Sequence, residues 1–257
     1  MTRSEMTEHF REESPLLKAR IAGSLWLLCI AAGIVGFIAG FPLIVANDAA
    51  GTAANIVAKE SLFRLGFAAD LISGASYLGA TVFLYCVLKP VSRSQSLLAA
   101  FFGLAGVAIG GVAWVSHLAP LVLLHGDQYL AAFTTSQVQA MSMIALKLQM
   151  QVFNIGMVFF GVQCFVTGYL ILRSTFLPRV LGVLLGIGGL SYVVVCFANF
   201  LLPPLGARLT PFIFPVAFIG EGSLAVWLLV KGVNVQRWKD QASAAGNGSH
   251  SAALHTP

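Results

Sequence analysis

Six long apolar runs separated by short polar stretches organise the chain: Ala19–Ala46, Leu62–Leu88, Leu97–Leu124, Met141–Leu172, Leu177–Leu202 and Pro211–Val230. Each reaches the ~20 residues that a helix needs to cross a ~30 Å hydrocarbon core. The pattern predicts an all-α fold, a six-transmembrane-helix bundle with short loops. Residues 1–18 form a cytoplasmic N-terminal arm in this reading, 19–232 the membrane domain, and 233–257 a disordered cytoplasmic tail.

The polar stretches carry their own signals. Asn47-Asp48 precedes Ala49–Lys59, which reads as a short capped helix on the outer surface. Ser136 and Gln139 have capping-box spacing, and a helix starting there and running to about Leu172 exceeds a straight span. Ser92 and Gln95 repeat the spacing ahead of the third span. Glycines recur at helical spacing at 33, 36 and 40, at 103, 106 and 110, and at 182, 186 and 189. Membrane helices use such stripes for close backbone approach, and helix packing is the reading taken for them. The tail from Gln241 is small and polar, which predicts disorder.

Composition supports the membrane reading. Only 10% of residues are charged, against about 25% in soluble domains, and 58% are hydrophobic. The net charge of +5 follows from basic loops, and no Lys/Arg cluster on a soluble domain is present to hold nucleic acid. Of the fifteen Lys and Arg residues, eleven fall on the side shared by the two termini and three (Lys59, Arg64 and Arg208) on the other. By the positive-inside rule both termini are cytoplasmic, in a cell inner membrane. The first run lacks a basic n-region and a cleavage site and is retained as a span. Cys29, Cys86, Cys164 and Cys196 are widely spaced within apolar runs and read as free thiols.

Against this background Glu221 stands out, a carboxylate near the middle of the sixth run. A charge at such depth costs about 2.5–3.5 kcal/mol on insertion scales and is a functional-site hypothesis by default. Counting ~1.5 Å per residue from the cytoplasmic ends puts Asp70, His117, Asn154 and Asn199 near one level, about 27–32 Å up, and Glu221 about 15 Å up. Lys147 shares a face with Gln151 and Asn154 slightly further out. Asp70, Ser73, Gly74 and Tyr77 share a face of the second span. The plainer alternative is that the outer groups snorkel to water. For Glu221 it is a structural bond to a neighbouring helix or a pair with Lys147. Trp26, Trp114 and Trp227 read as packing or interfacial anchors. HExxH, GxSxG and Walker motifs are absent, and the spans hold one histidine, His117, with His125 just beyond. No cofactor or metal is expected, and no motif supports an enzyme.

The stretch from Ser61 to Ile72, SLFRLGFAADLI, resembles a bacterial membrane-protein family filed as domain of unknown function 4386. ARIAG from Ala19, Lys89-Pro90, VFFG from Val158, FLPRVLGV from Phe176 and LLVKG from Leu228 extend the resemblance over Ala19–Gly232. It implies a compact multi-helix membrane domain and draws notice to Arg64, Asp70 and Glu221 as matching positions. Some members carry histidine where this chain has Gln149 and Gln163, which speaks against a histidine-based metal or haem role here. The resemblance transfers no activity.

Two function classes follow. The first is a binding or transport protein for a small molecule or ion, with an outward-facing polar site around Asp70, Lys147 and Glu221. The second is a structural or accessory subunit whose polar groups tie helices to each other and to a membrane-protein partner.

Overall fold

The structure, a computed structural model, describes residues 14–126 and 128–253, and for Tyr129 and residues 246–253 the backbone alone. The expected N-terminal arm therefore lies, up to residue 13, outside the described residues. Every described element is helical: α1 (Pro15–Gly40), a 3-10 turn (Phe41–Leu43), α2 (Ala49–Ala58), α3 (Glu60–Leu88), α4 (Arg93–Leu124), a second 3-10 turn (Gln128–Ala132), α5 (Thr135–Arg173), α6 (Arg179–Leu201), α7 (Pro203–Val230) and α8 (Val235–Ala253). Among the described residues α1, α3, α4, α5, α6 and α7 are long and apolar enough to span a membrane, as the apolar runs predicted. The protein is a multi-pass membrane protein.

Its polarity is inverted relative to a soluble protein. Phe212, Leu201, Val115, Phe37 and Ile38 are each more than 60% exposed, while Glu221, His117, Gln163, Thr81 and Thr167 are buried. Lipid accepts the apolar exterior, and the buried polar groups must be satisfied by one another.

Local chemistry sets the helix ends. Asp48 caps α2 by accepting from Gly51 N at 2.8 Å, after Asn47 has turned the chain at a positive φ of 59°. Ser92 caps α4 through Gln95 N, as its spacing predicted. The capping box of α5 sits two residues earlier than expected. Thr134 N donates to Gln137 Oε1 at 2.8 Å and Gln137 N donates to the Thr134 hydroxyl at 3.3 Å, so Thr134 rather than Ser136 is the cap. The sixth span begins at Pro203, not Pro211, because prolines suit the first helical turn. Leu202 alone separates it from α6.

The tail expected to be disordered from residue 233 is instead helical from Val235. Gly232, at φ +66°, ends α7 in a left-handed turn, and Asn234 then caps α8 by accepting from Arg237 N at 3.0 Å. Ala242, Ala244 and Ala245 favour a helix, which small polar composition alone had hidden. Residues 254–257 lie outside the described residues.

The chain divides into two compact units. The first holds residues 1–27, 79–104 and 160–257, and so the whole of α6, α7 and α8. Here the glycine stripes do the packing expected of them. A methyl on Gly189 would fall 2.5 Å from Gly161 O, and one on Gly182 2.6 Å from Gly168 O, so α5 and α6 touch backbone to backbone. The second unit holds residues 28–78 and 105–159. Its apolar core is Leu43, Ile56, Phe63, Leu121 and Leu146. Asn55 donates to Leu43 O and Val45 N donates to the Thr52 hydroxyl, which fastens α2 to the turn before it.

Candidate functional site

The expected site around Asp70, Lys147 and Glu221 divides between the units: Glu221 belongs to the first, Asp70 and Lys147 to the second.

In the first unit α7 carries Glu221 inward, 6% exposed. Trp26 Nε1 on α1 donates to Glu221 Oε2 at 3.2 Å, and the Tyr192 hydroxyl on α6 donates to Oε1 at 2.8 Å. The Tyr192 ring is held edge-on by Phe160 and Phe214, each 5.5 Å away between centroids. Among the described residues Trp26 and Tyr192 are the partners of Glu221, and both are neutral. Each oxygen has one fixed donor, and the phenol can also accept, so the geometry accommodates a carboxylate or a carboxylic acid. A second buried polar contact in this unit joins Gln163 Nε2 to the Thr81 hydroxyl at 3.1 Å. Gln163 fits because Gly103 opposite it has no side chain.

In the second unit three helices bring Asp70 (α3), His117 (α4) and Gln149 (α5) together. His117 is 4% exposed, with the Phe63 ring centroid 4.3 Å from its own. Its Nε2 lies 3.3 Å from Phe63 O. A carbonyl oxygen only accepts, so Nε2 bears a proton. In the neutral ring Nδ1 is then an acceptor, and it takes the Gln149 amide N–H at 3.1 Å.

Asp70 Oδ2 sits 3.6 Å from that same Nδ1. Among the described residues this imidazole is the polar partner of Asp70, and the distance exceeds a hydrogen bond. Both atoms are acceptors with no proton between them, and a proton shared by the pair would form a charge-assisted bond. The Asp70 side chain is 24% exposed, so the group is open on one side. Gly36 on α1 leaves its room, since a methyl there would strike Asp70 Oδ1.

The remaining expected residues are placed elsewhere. Arg64 pairs with Glu60 one turn away at 2.6 Å, 55% exposed, and His125 approaches the same carboxylate at 3.4 Å. Lys147 is exposed on α5, and Asn154 donates to Met150 O on its own helix at 3.0 Å. Asn199 lies against Gly206 where α6 turns into α7. Sequence reasoning missed Gln149, Trp26 and Tyr192 as partners. Gln149 carried the signal of an amide inside an apolar run, whereas Trp26 read as a packing or interfacial anchor and Tyr192 was not singled out. Trp26 does pack, at 1% exposed, and it also donates.

Residues 21–232 match the family described as Domain of unknown function (DUF4386), and the chain belongs to that family. An uncharacterised protein of Archaeoglobus fulgidus is 26% identical over 151 residues, 59% of this chain and 74% of that one. No solved structure matches.

Proposed function

We propose that this family member is an ion-binding membrane protein that takes up and passes on a proton or small cation at Asp70, beside His117. The observation that carries the reading is a partly exposed carboxylate set 3.6 Å from an acceptor nitrogen, an arrangement that a positive charge between them stabilises. His117 keeps its orientation through Phe63 O, and Gln149 holds the other ring nitrogen until the charge arrives. Glu221 has no such need of an ion, because both its oxygens have donors.

The test is proton exchange in liposomes that enclose a pH-sensitive dye, after an acid step outside. Wild type should equilibrate faster than empty liposomes, and folded Asp70→Asn should not. Equal rates for wild type and Asp70→Asn, or a wild type as tight as empty liposomes and without a cation adduct in native mass spectrometry, contradict the proposal.

A second reading, a structural or accessory subunit, is favoured by the fully satisfied Glu221 group. It predicts a stoichiometric protein partner that survives mild-detergent purification. For orientation we place both termini in the cytoplasm of a bacterial inner membrane, supported by the eleven-to-three division of Lys and Arg. A C-terminal reporter active only outside the cytoplasm should be silent, and a strong signal reverses the topology.

A further inference from the structure

The C-terminal helix builds a second feature in the first unit. Three groups of contacts fix α8 onto the α5–α6 connection. Thr175 N donates to Gln241 Oε1 at 3.0 Å, Asn234 N to Phe176 O at 3.2 Å, and Gln241 Nε2 to Arg173 O at 3.4 Å. Trp238 Nε1 anchors the same helix to Val87 O at 2.8 Å. Between helix and connection lies an open cleft of about 860 Å³, lined by Arg173, Arg179 and Arg237 with Asp240, and floored by Leu172 and Leu177.

The charges favour an anion. Three arginines stand against one aspartate, and Asp240 is already engaged by Gln236 Nε2 at 2.9 Å. Arg173 is steadied by the Tyr169 hydroxyl at 3.0 Å, with its guanidinium 5.7 Å from the centre of that ring. Arg237 spends one N–H on Thr175 O at 3.4 Å. Arg179 is exposed and, among the described residues, has no hydrogen-bonded or charged partner. Each guanidinium keeps N–H groups free in a planar fork that matches phosphate oxygens. Arg173 closes one spanning helix and Arg179 opens the next, so the cleft lies at span ends, with apolar side chains beside it. Basic pockets between spans in that setting suit lipid phosphates.

We propose that this cleft binds a phosphate group, carried by an anionic lipid or as the free ion. The test is native mass spectrometry of the full chain in mild detergent with added phosphatidylglycerol or phosphatidylcholine, with and without millimolar inorganic phosphate. Phosphatidylglycerol should be retained over phosphatidylcholine, and Arg179→Gln should weaken retention about fivefold, the effect of one arginine near a charged surface. Persistence of the adduct in inorganic phosphate assigns the lipid headgroup as the source, and its displacement assigns the free ion. The lipid comparison and the phosphate competition use wild type, so they stand even if the variant does not fold. Equal retention of the two lipids with no phosphate adduct overturns the proposal. So does a folded Arg179→Gln that binds like wild type.

Discussion

Each oxygen of Glu221 faces a hydrogen-bond donor, whereas Asp70 lies 3.6 Å from a ring nitrogen that is itself an acceptor, already holding the Gln149 N–H. Both are carboxylates inside membrane-spanning helices, and by composition alone they look alike. Their surroundings separate them. Glu221 is buried at 6% exposure in a closed arrangement of one indole and one phenol. Asp70 is 24% exposed at the side chain and lacks a donor within hydrogen-bond distance among the described residues. Depth in the membrane identifies an expensive group, but partner chemistry decides its role. A satisfied carboxylate ties helices together, and an unsatisfied one leaves room for a positive charge.

This contrast can be broken at either end. The largest effect on stability is expected from Glu221→Ala, which strands the Trp26 and Tyr192 donors in the interior and should cost about 2–4 kcal/mol. Thermal unfolding in detergent, followed by circular dichroism, reads it; an unchanged midpoint removes Glu221 from the structural role. Tyr192→Phe comes next, at about 1–2 kcal/mol, because one donor is lost while the ring contacts to Phe160 and Phe214 persist. Gln149→Leu takes one hydrogen bond from His117 and should cost about 1 kcal/mol, with proton exchange retained. The smallest change in stability belongs to Asp70→Asn, within about 0.5 kcal/mol, since no native hydrogen bond is broken. It is nevertheless the variant expected to abolish exchange.

The spans were legible because apolar length is a property of the chain itself. Leu97–Leu124 and Leu62–Leu88 recur almost unchanged as α4 and α3, extended at their first turns by Arg93 and Glu60. Helix ends were less so. Thr134 and Ser136 both offer a hydroxyl ahead of a glutamine, and which of them caps α5 depends on where the chain leaves the preceding turn. The α8 helix was hidden because its tie to Thr175 is a contact across 66 residues, outside any local pattern. The site was legible residue by residue but not as an arrangement. Asp70, His117 and Glu221 announced themselves as polar groups in apolar runs. That His117 would take Gln149, and that Glu221 would take Trp26 and Tyr192, depends on which helix faces which, and counting depth along separate spans cannot supply it. Arg64 matched a family position and still proved to belong to a surface pair with Glu60.

The central claim is that the two carboxylates have different jobs, and it is tested most directly by measuring Asp70→Asn and Glu221→Gln side by side for unfolding midpoint and for proton exchange in liposomes. The prediction is a crossed result: Asp70→Asn stable and silent, Glu221→Gln less stable and still exchanging. Loss of exchange in a folded Glu221→Gln with exchange intact in Asp70→Asn would contradict it.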